Sequence, residues 1–234
     1  METPRFPNPL LDRSDSPETG ARLRSELSLA GARDLLRGCL PPSAMDKLTA
    51  YAQLLQDWNR GINLVAKSTI DDLWHRHILD SAQLFRFRPE GNLRWLDIGT
   101  GAGLPGIVLA VLAECDRREH GIHLVEANAR RVEFLRLVRR ELDVDVRILH
   151  GRSEMCMPFQ ADIIAARAVA DLTFLIDLAL PHLAVRGCCI FPKGREFRNE
   201  LRLARQKWRF SSQCHESVTS RDGRIVALRE LSRA

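Results

Sequence analysis

The sequence predicts an α/β fold, a mainly parallel seven-stranded sheet with an N-terminal helical extension and a C-terminal antiparallel hairpin. Two observations lead to this prediction. From Trp95 onward, short apolar runs alternate with helical patterns, and this alternation is typical of a parallel sheet covered by helices on both faces. Near the C-terminus, two strand-like runs are joined by Asp222-Gly223, a pair that favours a hairpin turn.

Helical patterns precede the first strand. Leucines between residues 23 and 36 suggest a first helix, and Pro42 begins a more clearly amphipathic helix that continues to Trp58. Thr69 then begins an N-capped helix that runs to about Phe87. These segments are short and leucine-patterned, so we expect them to pack beside the sheet and to shape the entrance of a site.

The other predicted elements follow in chain order. Apolar runs predict strands, and periodic patterns predict helices. They are strand 95–98, helix 104–112, strand 122–127, helix 128–142, strand 144–149, strand 161–166, helix 171–183, strand 187–191, helix 196–206 and the hairpin strands 208–218 and 225–231.

The domain organisation follows from length and composition. A chain of 234 residues, 45% hydrophobic, can form one α/β domain with a small extension. Residues 1–20 combine prolines with Ser, Asp and Glu, and we expect disorder there because such a composition buries too little apolar surface. The chain therefore divides into a tail over residues 1–20, a helical extension over residues 21–90 and an α/β domain over residues 91–234.

Charge and cysteine usage restrict the class of protein. The net charge of +5 favours a polyanionic partner, although a solvated basic surface also explains it. The six cysteines contain no C-x-x-C pair, so we expect free thiols in a reducing cytosol and no metal site. No apolar run approaches the roughly 20 residues of a membrane span, which predicts a cytoplasmic protein with no membrane partner.

The α/β domain is organised around the turn after its first strand, where four glycines lie within eight residues. Glycine lets the backbone turn sharply and approach a ligand, and the following helix supplies unpaired N–H groups. Gly101-Ala-Gly103-Leu-Pro-Gly106 also satisfies the dinucleotide fingerprint G-x-G-x-x-G. Asp97, just before the glycines, would repel a pyrophosphate but suits the ammonium group of S-adenosylmethionine (SAM).

Further candidate site residues follow the other parallel strands. Glu126 ends the second predicted strand, where a carboxylate can accept both ribose hydroxyls of a nucleoside, and the glycine turn upstream favours this role over that of an ordinary solvated strand-end glutamate. Ser153 and Glu154 follow the third strand, where a loop would pass an adenine, but short polar loops are common. Arg167 follows the fourth strand at the edge where ligands gather in such sheets.

Two other polar patterns have a structural interpretation. His77 and Asp80 are three residues apart and can form a local hydrogen bond within a helix. The arginines between residues 130 and 140 fit a solvated helix face better than a binding surface.

Motifs that this sequence lacks restrict the kinds of atom that could accept a methyl group. Amino-group methylation is usually served by an Asn- or Asp-Pro-Pro-aromatic motif after the fourth strand, where this chain has Ala165-Ala-Arg-Ala-Val. No cysteine lies in a motif that resembles the nucleophile site of cytosine C5 methylation. Guanine N7 has its own free lone pair, so an enzyme needs only to position it.

These residues, taken in order, resemble the RsmG (GidB) family of bacterial guanine-N7 methyltransferases that act on 16S, small-subunit ribosomal RNA. The resemblance covers roughly residues 45–230 and rests on six ordered motifs. They are Asn63-Leu64, His75-Arg-His-Ile-Leu-Asp-Ser81, Leu96-Asp-Ile-Gly-Thr-Gly-Ala-Gly-Leu-Pro-Gly106, Gly151-Arg-Ser-Glu154, Ala166-Arg-Ala168 and Pro192-Lys-Gly194.

The resemblance implies a Rossmann-like, class I SAM-dependent methyltransferase domain over residues 91–234, with SAM as the cofactor. The residues that it implies, together with the wider fold, for cofactor binding are Gly99, Leu104, Ser153, Glu154, Arg167, Asp97, Gly101 and Glu126. The residues that it implies for the RNA side are Arg152, Arg167, Lys193 and Arg221. We expect positional catalysis, without a catalytic side chain, a metal or a general base.

Two alternative functions stay open at this level. The glycine fingerprint also fits an NAD(P)-dependent oxidoreductase, although the sequence supplies no evident substrate domain for one. A basic RNA-binding module with a degenerate cofactor site is disfavoured by the intact glycines and by Glu126. The substrate itself, free small-subunit ribosomal RNA or the assembled small ribosomal subunit, also stays open.

Overall fold

The computed structural model describes residues 22–25, 27, 31–116, 118–167 and 170–234. The predicted disorder of residues 1–20 lies outside these described residues, as does Ala168 of the Ala166-Arg-Ala168 motif.

The predicted sheet is confirmed. Its strands are β1 Leu93–Ile98, β2 His120–Glu126, β3 Val146–His150, β4 Ala161–Ala165, β5 Leu183–Lys193, β6 Trp208–Glu216 and β7 Arg224–Arg233. They lie in the order β3-β2-β1-β4-β5-β7-β6. The first five strands are parallel, β7 is antiparallel to β5, and β6 forms the predicted antiparallel pair with β7.

Among the described residues, six helices of at least eight residues accompany the sheet. They are α1 Ala32–Cys39, α2 Pro42–Asn59, α3 Gly106–Ala113, α4 Ala129–Leu142, α5 Leu172–Ala179 and α6 Phe197–Ala204. In the part of the chain that is described, no helix combines the length and the apolar character required to cross a membrane.

Successive residues of the inner strands point to opposite faces, which divides the core into two layers. Trp95 and Ile163 belong to the layer under α1 to α4, whereas Leu96 and Ile164 belong to the layer under α5 and α6. All four side chains are almost fully buried. The near-continuous apolar runs of β1 and β4 are therefore those of strands covered on both faces.

The helix predicted from Thr69 to about Phe87 is helical from Leu73 onward, but its start at Thr69 and its regularity are wrong. The chain instead forms a 3₁₀ turn over Lys67–Thr69, a π-helical turn over Trp74–Leu79, an α-helical turn over Asp80–Ala82 and a 3₁₀ helix over Gln83–Phe87. The Thr69 hydroxyl donates to the Ala66 carbonyl oxygen at 2.7 Å and does not cap a helix. Polar side chains of this stretch form hydrogen bonds with distant parts of the chain, and these contacts favour a backbone that departs from a regular helix.

Two other helix predictions are corrected. Gly31 adopts a φ of 78°, so α1 begins only at Ala32 instead of continuing the leucine pattern from residue 23. The predicted helix 171–183 ends at Ala179, and Pro181 lies in a following 3₁₀ turn, Leu180–His182. Strand β5 then begins at Leu183, earlier than predicted.

Tyr51 joins α2 to the glycine turn. Its side chain is fully buried, and its hydroxyl donates to the Ala102 carbonyl oxygen at 2.8 Å. We expect Tyr51→Phe to lower the free energy of unfolding by about 1–2 kcal/mol, because the buried carbonyl loses its side-chain donor. Chemical denaturation measures this, with Ser211→Ala, which loses an exposed hydroxyl contact to a carbonyl, as the control. Equal stability of the two variants would contradict the link.

Candidate cofactor and substrate cleft

A cleft of about 710 Å³ opens at the carboxyl ends of β1 and β4. The strand order reverses between these two strands, and ligands of open α/β sheets bind at such switch points. Most of the walls come from the glycine turn, the irregular helical stretch 67–87 with the residues just before it, the end of β5 and the β6–β7 loop, and side chains from α4, α6 and the segment after β4 also contribute. The lining residues include Thr69, Arg76, His77, Asp80, Gly99, Gly101, Leu104, Arg131, Arg167, Lys193, Glu200, Thr219 and Arg224.

The glycine turn has the strand-turn-helix geometry that the sequence predicts. Gly99 and Gly101 line the cleft with φ angles of 65° and 60°, in the left-handed region that glycine adopts without strain. Gly106 instead serves packing, since a Cβ there would overlap the Leu124 side chain and approach Asp97 Oδ2 to 2.8 Å. Leu104, also predicted as a cofactor contact, is buried against the cleft.

Asp97 lies beneath the turn and is not among the residues that line the cleft, so its contact with a ligand ammonium stays a prediction. Oδ2 accepts hydrogen bonds from the Thr100 hydroxyl at 2.5 Å and from the Gly106 N–H at 2.8 Å. Oδ1 is buried and has no hydrogen-bond partner among the described residues. It therefore offers an acceptor for a cationic group beside the turn, as a ligand ammonium would require.

Burial raises the pKa of Asp97 from 3.8 to about 7, so between these pH values the carboxyl is protonated in the folded chain and ionised in the unfolded chain, while an ammonium group beside Oδ1 would favour the ionised, accepting form. Its contribution to stability therefore falls as the pH rises through this interval. Between about pH 5 and about pH 7 the expected loss is about 2 kcal/mol, because the carboxyl is already half ionised at about pH 7.

Denaturant unfolding of the wild type and of Asp97→Asn at several pH values tests this. The wild type should lose stability relative to the variant up to about pH 7 and then run parallel to it. His77 titrates in the opposite sense but is present in both proteins, so the difference isolates Asp97. A difference that stays constant with pH would contradict the raised pKa.

Glu126 supports the same turn from behind. Its Oε2 accepts the Gly101 N–H at 2.8 Å, and its Oε1 accepts the Asn128 N–H at 2.8 Å. The carboxylate is buried and does not line the cleft. Each oxygen keeps a second lone pair, so contacts to ribose hydroxyls stay a prediction compatible with this geometry.

The loop after β3 carries three more predicted site residues outside the cleft walls. Ser153 is buried, and its hydroxyl donates to Glu154 Oε2 at 3.1 Å. The loop lies beside the end of β2, because Gly151 N–H donates to the Glu126 carbonyl oxygen at 2.9 Å. Arg152 is exposed. The structure therefore brings this loop next to Glu126, while its cofactor contacts stay predictions.

Arg167 is the predicted residue with the most contacts in the cleft. Its Nη1 donates to the Arg76 carbonyl oxygen at 2.8 Å and to Asp80 Oδ2 at 3.3 Å. Its Nη2 lies 2.7 Å from His77 Nδ1. The predicted local pairing of His77 with Asp80 is therefore replaced, since both bind this arginine from the helical stretch.

His77 is neutral in this arrangement. An arginine has only donors, so Nδ1 accepts and the proton lies on Nε2, which donates to the Thr69 hydroxyl at 2.7 Å. Burial and, to a smaller extent, the charge of Arg167 lower the pKa of His77 from 6.5 to about 4. Both ring nitrogens are occupied, so this histidine holds Arg167 in place and has no free nitrogen to remove a proton.

Lys193 lines the opposite wall and is already paired. Its Nζ donates to the Ala170 carbonyl oxygen at 3.0 Å and lies 2.5 Å from Glu200 Oε2. The same oxygen of Glu200 accepts the Leu172 N–H at 2.8 Å. Lys193 therefore also anchors the start of α5 to the cleft.

The remaining arginines divide by position. Arg221 is exposed on the β6–β7 loop and does not line the cleft. Arg131, which the sequence assigned to a solvated helix face, does line it, and its Nη2 donates to the Asn63 carbonyl oxygen at 3.4 Å. Arg76 and Arg224 also line the cleft and were missed, because no local pattern identifies an arginine whose neighbours come from distant segments.

Residues 44–228 match the family of rRNA small subunit methyltransferase G, GidB. The chain is 44% identical to ribosomal RNA small subunit methyltransferase G of Cereibacter sphaeroides over 188 residues. The aligned region covers 80% of this chain and 90% of that protein. The protein of the same name from Rhodospirillum centenum is 43% identical over 188 residues, 80% of this chain and 85% of its own.

Solved structures resemble the fold. A SAM-dependent methyltransferase from Aquifex aeolicus superposes with a TM-score of 0.52 at 13% identity, over 71% of this chain and 98% of that one. A TehB-like SAM-dependent methyltransferase from Corynebacterium glutamicum gives 0.50 at 14% identity, over 77% and 96%. The predicted Rossmann-like, class I architecture is thus confirmed.

Proposed function

The chain belongs to the family of ribosomal RNA small subunit methyltransferases G, and from this premise we propose that it methylates N7 of one guanine in small-subunit ribosomal RNA. The general activity is SAM-dependent methylation of small-subunit ribosomal RNA. The nicotinamide-dependent oxidoreductase, which the glycine turn alone left open, has no support from the family or from the fold.

One observation favours guanine N7 as the acceptor, namely that the described cleft walls offer no free base and no cysteine nucleophile. His77 has both ring nitrogens occupied, and the carboxylates of Asp80 and Glu200 are engaged by Arg167 and Lys193. An exocyclic amine must lose a proton, and cytosine C5 must be activated by an attacking group. Guanine N7 needs only alignment.

The residues of the cleft fit SAM, which supplies a methyl group activated by its sulfonium when bound. Positive-φ glycines leave room beside the turn, and the unpartnered Asp97 Oδ1 offers an acceptor for an ammonium group. We propose the cofactor contacts at Gly99, Gly101, Leu104 and Arg167 on the cleft walls. Contacts from Asp97, Glu126 and the Ser153-Glu154 pair would come from beneath or beside the turn.

The RNA side divides into two sets. We propose that Arg167 and Lys193, which line the cleft, position the target nucleotide beside the methyl donor. Arg152 and Arg221 are exposed outside the cleft and suit backbone phosphates. The helical extension 21–90 would form the entrance wall of the methyltransferase domain 91–234, and we propose that the reaction takes place in the cytoplasm, where the ribosomal substrate would be met.

The test is incubation of the full chain with labelled SAM and small ribosomal subunits from cells that lack this modification. Mass spectrometry then maps the label, and 7-methylguanosine at a single position is expected. Free ribosomal RNA in a parallel reaction decides whether the assembled particle is required. Label on an exocyclic amine or on cytosine would overturn the N7 assignment, and unlabelled RNA in both reactions would overturn the activity.

A further inference from the structure

We propose that Asp80 is a positioning residue that couples the cofactor side of the cleft to its RNA side, an inference that rests on the proposed function. Asp80 lies at the junction of the π-helical turn and the following α-helical turn. Its side chain is 19% exposed and lines the cleft. One carboxylate there binds groups from two distant parts of the chain and from its own helical stretch.

The first partner is Arg167, at the end of β4. Asp80 Oδ2 accepts from its Nη1 at 3.3 Å, beside the contacts from the Arg76 carbonyl oxygen and from neutral His77. Asp80 supplies the carboxylate of this set, and hydrogen bonds between charged groups are stronger than neutral ones. The guanidinium of Arg167 is thus held in place by residues 76, 77 and 80, which lie on two successive helical turns.

The second partner is the loop between β6 and β7. Asp80 Oδ1 accepts from the Thr219 hydroxyl at 2.5 Å. The same loop carries exposed Arg221, which we propose for the RNA side, and leads into the cleft residue Arg224 at the start of β7. The hydrogen bond to Thr219 therefore helps to position a loop that carries a cation of the RNA side.

Gln83 completes the link and is fully buried. Its Nε2 donates to Asp80 Oδ1 at 2.9 Å and to the Ser217 hydroxyl at 3.2 Å, and its Oε1 accepts the Val218 N–H at 2.8 Å. The β6–β7 loop is thus held by the helical extension through Gln83 and Asp80. A shift of the Asp80 carboxylate would move Arg167 and the loop together.

Three variants and their pairs separate this coupling from a general loss of structure. Arg167→Lys should weaken SAM binding and, because Arg167 also faces the target nucleotide, RNA binding. Thr219→Val should weaken RNA binding only, and Asp80→Asn should weaken both. Each change is expected to be about tenfold, as for the loss of one hydrogen bond to a charged group. Calorimetry with SAM and filter binding of small-subunit ribosomal RNA give the two dissociation constants.

The pairs carry the decisive result. Adding Thr219→Val to Asp80→Asn should weaken RNA binding no further, and adding Arg167→Lys should weaken SAM binding no further. In the double variant of Arg167→Lys and Thr219→Val, each substitution should keep the effect that it has alone. Thermal unfolding is measured for every variant. If Asp80→Asn is too unstable, Asp80→Glu, which keeps the charge, replaces it in the same comparison.

Asp177→Asn is the matched control, because it also removes a carboxylate paired with a cation, Lys207, but lies outside the cleft. It should leave both dissociation constants unchanged. Multiplicative effects in the Asp80 pairs, or an Asp80→Asn protein that behaves like the control, would overturn the coupling. Failure of the wild type to bind SAM or RNA would instead overturn the proposed function.

Discussion

Gly99→Val is expected to abolish SAM binding, with a dissociation constant raised at least about 100-fold. Gly99 follows β1 with a φ of 65° and lines the cleft. A β-branched side chain in this left-handed conformation is strained by about 1–2 kcal/mol. The strain forces the turn to move, and the new side chain also takes up space where the backbone must approach the ligand.

The control for this prediction is Gly91→Val. Gly91 also has a positive φ, 105°, but it precedes β1, lies outside the cleft and has open space where a Cβ would stand. Both variants therefore carry backbone strain, and only Gly99→Val should lose SAM in calorimetry. Circular dichroism confirms that each variant is folded. Retention of SAM affinity by folded Gly99→Val would remove the glycine turn from the cofactor site.

Local sequence was sufficient to predict the centre of the fold. The strand, glycine turn and helix from residue 93 to residue 113 are adjacent in the chain, so apolar patterning and glycine spacing determine them together. The hairpin of β6 and β7 was likewise predicted from its turn residues.

Contacts between residues that are distant in the chain could not be predicted from the sequence. Gln83 bonds to Val218, and Arg167 bonds to Asp80, and neither pairing leaves a local pattern. The irregular helical stretch that carries Gln83 and Asp80 was therefore predicted as a regular helix. Asp97 and Glu126 were located correctly along the chain, but their carboxylates stabilise the turn from behind, which only the packed structure reveals.

Lys193→Ala is expected to reduce kcat/KM for small-subunit ribosomal RNA by about 30- to 100-fold while the SAM dissociation constant stays within about twofold. The substitution removes a cation from the cleft wall on the side of β5. It also leaves the Ala170 carbonyl oxygen and the Glu200 carboxylate without this lysine. A loss of activity alone would therefore not distinguish an RNA contact from a disturbed loop.

Glu200→Gln makes the distinction, because it breaks the ion pair but keeps the cation, while the amide oxygen can still accept the Leu172 N–H. If Lys193 contacts RNA, Glu200→Gln should bind RNA at least as well as the wild type, whereas Lys193→Ala should not. Lys207→Ala, which removes a lysine paired with Asp177 outside the cleft, controls for the loss of charge. Steady-state methylation with varied RNA, together with SAM calorimetry, measures all three variants. Equal losses in Lys193→Ala and Glu200→Gln would assign Lys193 to the structure of the cleft wall, and a parallel loss of SAM affinity would place it on the cofactor side.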